Sequence, residues 1–237
     1  MTHRILLVDD HAVVRQGIRR LLMDYGVASD VVEAQTGAEA LAAIERHVFD
    51  VVLLDISLPD MNGVEVLKRA KRRAPRLPVL MFSMYREDQY AVRALKAGAS
   101  GYLSKTVDAA QMMSAIVQVA TGRKYVSPAM AEALADYVLV DSEQLPHEKL
   151  SDREYQTLCM LASGQRLTDI AHKLSLSVKT VSVYRARLLE KMNLCNNAEL
   201  TLYVMSNGLV DFTPSASTSA AAVAVAAHAP AHVRAAL

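Results

Sequence analysis

The chain has 237 residues, enough for two small domains. Its composition is 52% hydrophobic and 22% charged, which excludes a chain disordered throughout. The 26 basic and 25 acidic residues nearly cancel, so any surface that binds nucleic acid must be local. The two cysteines, Cys159 and Cys195, exclude a disulfide-rich secreted fold.

Neither a secretion signal nor a membrane segment is recognisable. The first apolar run, residues 5–8, ends at Asp9 and Asp10 and is too short for the core of a signal peptide. No other stretch approaches the ~20 apolar residues that span a bilayer. We therefore expect a cytoplasmic protein without membrane contact.

Residues 1–122 alternate between short apolar runs and segments with helical spacing, which predicts a first domain of five strands, each followed by a helix. The expected strands are Ile5–Val8, Val31–Ala34, Val51–Leu54, Val79–Ser83 and Gly101–Leu103. Strands that alternate with helices form a parallel sheet covered on both faces. The prediction is an α/β fold, a flavodoxin-like (βα)5 domain with strand order 2-1-3-4-5.

The rest of the chain divides into three parts. Residues 123–149 are expected to form a linker with one helix from Pro128 to Leu139, capped by Ser127. Residues 150–212 lack a strand pattern and predict a small all-α domain of four helices. Their expected starts, each with a capping residue, lie near Ser151, Thr168, Ser177 and Asn197. The Ala-rich tail, 213–237, is expected to be disordered.

Charged side chains follow the predicted strands at one edge of the sheet. Asp9 and Asp10 follow the first strand and Asp55 the third, and these strands are neighbours in the order 2-1-3. Strands four and five deliver Ser83 and Lys105 to the same edge. Three carboxylates together repel, and a bound Mg²⁺ relieves the repulsion. The set therefore predicts phosphoryl chemistry.

These residues resemble the receiver domain of two-component response regulators. The matching motifs are VDD at 8–10, LLDISLPDMNG at 53–63, Ser83, Tyr102 and Lys105. The resemblance implies that Asp55 accepts a phosphoryl group from a sensor histidine kinase. It also implies an Mg²⁺ ion held by Asp10, Asp55 and the backbone carbonyl of Ser57, with Asp9 acting through water.

The same resemblance assigns roles to the remaining motif residues. Lys105 would pair with the phosphoryl group, and the Ser83 hydroxyl would hydrogen-bond to it. Tyr102 would turn inward when Ser83 moves. Ser57 and Tyr85 would flank the path by which water reaches the aspartyl phosphate.

The C-terminal segment carries the pattern of a helix-turn-helix. Ile170, Ala171 and Leu174 form the inner side of one short helix, and a turn at residues 175–177 leads into a second. Residues 173–191 hold five basic side chains against the single acidic Glu190. This local excess of positive charge favours DNA binding by the second helix.

The segments LSDREYQTL, DIAHKLSLSVKTV and NNAELTLYVMSNGLV resemble the LuxR-type helix-turn-helix. Together with the receiver motifs, residues 3–210 resemble a NarL/FixJ-type response regulator. The resemblance implies a homodimer, formed on phosphorylation, that pairs through the last helix, about residues 197–207, and binds double-stranded DNA. The residues it places at the DNA are Lys179, Thr180, Ser182, Val183, Arg185 and Arg187.

The sequence thus predicts a transcription regulator and not an enzyme. Two alternatives stay open at this point. One is a phosphatase with an Asp nucleophile, which Ser57 disfavours because it stands where such enzymes carry a general acid. The other is a regulator that acts through protein contacts without DNA.

Overall fold

The computed structural model describes residues 2–85, 87–139 and 145–210. Its five strands form one parallel sheet in the order β2-β1-β3-β4-β5, which confirms the predicted topology. The strands are β1 (His3–Val8), β2 (Ala28–Ala34), β3 (Val51–Leu54), β4 (Val79–Ser83) and β5 (Gly101–Ser104). Every residue of β3 is buried, as a central strand between two helical layers requires.

Five helices cover the two faces of the sheet. They are α1 (Ala12–Asp24), α2 (Gly37–Arg46), α3 (Gly63–Arg73), α4 (Glu87–Lys96) and α5 (Ala109–Ala120). Alternate strand residues point to opposite faces, so Leu6 and Val8 join one apolar cluster while Ile5 and Leu7 join the other. The expected (βα)5 architecture is therefore present in the first domain.

The segment after α5 contains the expected helix. Helix α6 spans Pro128–Leu139, and the Ser127 Oγ accepts a hydrogen bond from the Met130 N–H at 3.1 Å. A short 3-10 turn that the sequence did not predict follows at Pro146–Lys149. The predicted disordered tail, 213–237, lies outside the described residues.

The second domain consists of α7 (Asp152–Ala162), α8 (Leu167–Lys173), α9 (Val178–Met192) and α10 (Asn197–Ser206), which confirms the four-helix prediction. The prediction that a capping residue starts α8 is wrong. This helix begins at Leu167 after Arg166, whose side chain makes no capping hydrogen bond and pairs with Asp169 at 3.0 Å. Among the described residues, no helix has the length and apolar character needed to cross a membrane.

Ion pairs join the two domains at the start of α7. Asp152 accepts a hydrogen bond from Lys68 of α3 at 2.7 Å and another from Arg93 of α4 at 3.0 Å. Lys96 pairs with Glu148 of the 3-10 turn at 2.9 Å. The start of α7 is therefore clamped between α3 and α4 of the first domain.

Arg93 makes the largest number of these contacts. Its guanidinium also donates to the backbone carbonyls of Leu150 at 2.9 Å and His147 at 3.0 Å, and it lies 4.4 Å from the centre of the Tyr155 ring. The side chain is only 17% exposed, and these partners lie on the 3-10 turn and at the start of α7. A buried guanidinium is tolerated only with such partners.

A row of aromatic rings runs beside these ion pairs. Neighbouring ring centres are separated by 4.8 Å for Tyr85 and Tyr90, 5.2 Å for Tyr90 and Tyr155, and 5.9 Å for His147 and Tyr203. The Tyr90 hydroxyl is buried and has no hydrogen-bond partner among the described residues. A buried hydroxyl without a partner costs free energy, so this group lowers the stability of the folded protein.

Removal of this hydroxyl should stabilise the protein. Tyr90→Phe keeps the ring between Tyr85 and Tyr155 and deletes only the unpaired group. We expect the free energy of unfolding to rise by about 1 kcal/mol. Urea unfolding followed by circular dichroism measures the change.

Tyr85→Phe is the matched control, because the Tyr85 hydroxyl has a partner in Gln156 at 3.2 Å. Loss of a paired hydroxyl should lower the free energy of unfolding. A Tyr90→Phe protein that is less stable than the wild type would contradict the view that the unpaired Tyr90 hydroxyl is destabilising.

The lowered pKa of the buried His147 should make the stability of the protein depend on pH. Burial lowers the pKa of His147 from 6.5 to about 4, with Arg93 and Lys96 adding to the effect and Glu148 opposing it; its Nδ1 lies 2.9 Å from the Tyr203 hydroxyl. Because the folded pKa lies below the unfolded one, the unfolded chain binds more protons between these values. The contribution of His147 to stability is then fully present above about pH 6.5 and is lost as the pH falls toward about 4.

The measurement compares urea midpoints at about pH 7 and about pH 5. His147→Asn should lose less stability between the two conditions than the wild type. His172→Asn, which changes an exposed histidine of α8, should behave like the wild type. Equal losses in all three proteins would exclude His147 as the responsible group.

Candidate functional site

The carboxyl ends of β1 and β3 bring the predicted aspartates together. Val8 pairs with Leu54 in the parallel register, and the Asp55 N–H donates to the Val8 carbonyl at 2.9 Å. Asp9 and Asp55 are therefore side by side at the sheet edge. Both are buried, with 1% and 3% of their surface exposed.

Lys105 follows β5 and bridges these two carboxylates. Its Nζ donates to Asp9 and, at 2.7 Å, to Asp55. Burial lowers the pKa of Lys105, but the attraction of Asp55 and Asp9 outweighs it and raises the pKa above the ordinary value. Burial raises the pKa of Asp55, while Lys105 opposes that shift. Lys105 therefore remains positively charged beside the buried Asp55 carboxylate.

Four side chains converge in a group that fits a divalent metal. One potential ligand atom from each of Asp9, Asp10, His11 and Asp55 lies within 4.8 Å of the others. Carboxylate oxygens are the ligands that hard divalent cations prefer. His11 was missed by the sequence analysis, although its place directly after Asp10 was a signal; its Nδ1 lies 2.7 Å from an Asp10 oxygen.

The loop after β3 is tightly folded around Asp55. The Asp55 Oδ1 accepts hydrogen bonds from the N–H groups of Ile56 at 2.6 Å and Ser57 at 3.3 Å. A Cβ on Gly63 would lie 2.0 Å from the Asp55 carbonyl oxygen, so only glycine fits at the start of α3. Asn62 caps α3 through a 2.8 Å hydrogen bond from the Val64 N–H.

Ser83 and Tyr102 also lie at this edge. The Ser83 side chain is buried, and its hydroxyl acts to lower the pKa of Asp55. Tyr102 is wholly buried, and its hydroxyl donates to the Tyr85 carbonyl at 2.7 Å. The structure thus places Tyr102 in an inward position, and its expected movement stays a prediction.

Helix α9 presents most of the residues that were expected to face DNA. Lys179 and Arg187 are exposed, and Val183 is 42% exposed. Thr180, Ser182 and Arg185 are partly exposed. Arg185 donates to the Asn197 side chain at 2.7 Å, which ties α9 to α10.

Not every basic residue of this region is available to a ligand. Lys191 pairs with Glu154 at 2.6 Å and thereby holds α9 against α7. Lys179 and Arg187 are exposed and therefore accessible to a polyanion such as DNA.

Comparison with known families matches both domains. Residues 5–117 match the model of the response regulator receiver domain, and residues 148–204 match that of bacterial regulatory proteins of the luxR family. A receiver domain joined to a helix-turn-helix domain defines a response regulator that binds DNA.

Curated relatives match along nearly their whole length. Response regulator GacA of Pseudomonas protegens is 38% identical over 208 residues, which is 88% of this chain and 98% of that protein. Response regulator UvrY of Escherichia coli is 35% identical over 206 residues, which is 86% of this chain and 94% of that protein. The chain therefore belongs to the response regulator family, in its NarL/FixJ branch, and is a two-component transcription regulator rather than an enzyme.

Solved structures support the fold. A LuxR-family response regulator from Aurantimonas sp. is 34% identical with a TM-score of 0.55, over 59% of this chain and 99% of that one. RcsB from Salmonella enterica serovar Typhimurium, solved on a promoter with a phosphomimetic, has a TM-score of 0.58. It covers 86% of this chain and 99% of its own, and at 22% identity it supports the fold alone.

Proposed function

We propose that Asp55 is the phosphoacceptor of this regulator and that a sensor histidine kinase is the donor. A carboxylate oxygen of Asp55 attacks the phosphorus of a phosphohistidine; the O–P bond forms as the P–N bond breaks, and the imidazole leaves. The observation that carries the proposal is the buried Asp55 carboxylate in contact with Lys105, with the buried Ser83 at the end of the neighbouring strand β4. Both side chains are placed to contact the oxygens of a phosphoryl group.

The acidic group next to Asp55 fits Mg²⁺. Asp10, Asp55 and the Ser57 carbonyl would hold the ion, and Asp9 would contact it through water. Bound Mg²⁺ supplies positive charge that offsets the charge of the phosphoryl oxygens. Lys105, which contacts both Asp9 and Asp55, supplies a second positive charge from the protein itself.

The output of the phosphorylated protein is binding to double-stranded DNA as a homodimer in the cytoplasm. The proposed units are a receiver domain at 1–122, a linker at 123–149 and a DNA-binding domain at 150–212. The exposure of Lys179, Val183 and Arg187 on α9 supports this output. Thr180, Ser182 and Arg185 complete the proposed DNA-facing set.

The chemistry is tested by replacing the nucleophile. Wild-type protein with Mg²⁺ and acetyl phosphate should gain one phosphoryl group per chain, and Asp55→Asn should gain none, because an amide cannot replace the attacking carboxylate oxygen. Intact-protein mass spectrometry measures the uptake.

Asp60→Asn is the matched control within the same loop. Asp60 accepts hydrogen bonds from the N–H groups of Gly37 and Ala38, at the start of α2, and should be dispensable for uptake. Full phosphorylation of Asp55→Asn would place the acceptor elsewhere.

The DNA interface is tested through its salt dependence. Lys179→Ala and Arg187→Ala should each weaken binding to all DNA sequences and lower the slope of log affinity against log salt by about 0.9 per lost phosphate contact. Arg20→Ala, which removes an exposed arginine from α1, should leave the slope unchanged. Wild-type slopes in both α9 variants would show that this helix does not face the phosphate backbone.

A further inference from the structure

Gln156 of α7 is wholly buried, although it is a polar residue of the DNA-binding domain. Its side chain reaches into the receiver. The Nε2 group donates to the Ser57 Oγ and to the Tyr85 hydroxyl, each at 3.2 Å. The Oε1 atom accepts from Asn62 at 3.2 Å and from Arg153 at 2.8 Å. A carboxamide has two N–H donors and two acceptor lone pairs, so every hydrogen-bonding position of Gln156 is in use.

The three receiver partners of Gln156 all belong to loops that shape the phosphoacceptor. Ser57 follows Asp55 by two residues, and its N–H donates to the Asp55 carboxylate. Asn62 directly precedes Gly63, whose Cα lies against the Asp55 backbone. The backbone carbonyl of Tyr85 accepts a hydrogen bond from the Tyr102 hydroxyl. One side chain of the second domain therefore ties together the loops after β3 and β4.

We call the contact of the DNA-binding domain with the receiver docking. Docking covers these loops but leaves the residues proposed to face DNA exposed. Arg153 reinforces the contact by donating to the Leu58 carbonyl at 3.0 Å. In contrast, Lys179, Val183 and Arg187 stay exposed in the same arrangement. Docking therefore acts directly on the loops around Asp55 more than on the exposed residues of α9.

A phosphoryl group on Asp55 brings three strong acceptor oxygens into this region. The loops after β3 and β4 must adjust to it, yet Gln156 holds Ser57 and Tyr85 through both of its N–H groups. The hydrogen bonds that stabilise the docked state are therefore the ones that resist the adjustment.

We propose that Gln156 is a positioning residue through which the docked DNA-binding domain opposes occupation of Asp55. The proposal rests on the assignment of Asp55 as the phosphoacceptor. Docking and a phosphoryl group then compete, and by linkage each weakens the other by the same factor. Release of α7 by a bound phosphoryl group and easier loading of Asp55 after release are two views of one coupling free energy.

The test measures the affinity of the full-length chain for beryllofluoride with Mg²⁺, a noncovalent mimic of the phosphoryl group. The chain has nine tyrosines and no tryptophan, so tyrosine fluorescence can follow the titration. Gln156→Ala should lower the half-saturating concentration about 5- to 20-fold, within the usual range of coupling between sites. Gln165→Ala, a glutamine in the loop after α7, should titrate like the wild type.

A second variant separates competition from simple damage to the DNA-binding domain. Arg93→Ala lies in the receiver and removes contacts to His147, Leu150 and Asp152 without altering Gln156. It should also tighten beryllofluoride binding, because it weakens docking. A merely structural role for Gln156 would leave the affinity unchanged or reduce it.

The outcomes are distinguishable from failure of the phosphoacceptor assignment. Asp55→Asn should abolish the response, and if it titrates like the wild type the proposed function is wrong. If Asp55→Asn is silent while Gln156→Ala and Arg93→Ala both match or fall below wild-type affinity, the phosphoacceptor stands and the competition is refuted. Tighter binding in Gln156→Ala with a wild-type result for Gln165→Ala supports the coupling.

Discussion

The contact of Lys105 with Asp9 and Asp55 is the constraint on which the rest of the molecule depends. Two buried carboxylates side by side at the edge of a parallel sheet are stable only with a cation between them. The β1–β3 register places both acids there, and the end of β5 brings the lysine. Because the loops that follow these strands must converge on that charge cluster, their shape is set before any partner binds. Regulation can then act through small changes in those loops.

The first domain was largely predictable because its information is local. Four of the five strands, β1, β3, β4 and β5, are short apolar runs that end at or lead into a residue of the predicted site, and strand order follows from the few topologies open to a (βα)5 chain. Even so, His11 was not singled out from the sequence, since a ligand cluster is recognised only after the strands are placed. The missing cap of α8 has a similar cause: Arg166 starts that helix through its backbone and pairs with Asp169, a choice that capping preferences alone do not reveal.

The contacts between domains were not predictable from the sequence. Arg93 and Asp152 are 59 residues apart, and Gln156 lies 99 residues from Ser57. Neither pair belongs to a motif that marks it as interacting. Lys68 illustrates the difficulty: its side chain is 45% exposed on α3, and yet it pairs with Asp152 of α7 at 2.7 Å. Long-range pairing of surface charges depends on how two folded bodies meet, and that information lies in their shapes.

The start of α7 has a further consequence. Ser151 and Glu154 form its capping box, and both belong to the DNA-binding domain. Lys191 of α9 holds Glu154 in place through an ion pair. The helix therefore does not need the receiver in order to begin. The side chains through which α7 contacts the receiver include Asp152, Arg153, Tyr155 and Gln156. A DNA-binding domain of this kind can therefore be joined to a different input domain, and respond to a different signal, through changes at a few positions in α7 and the 3-10 turn before it.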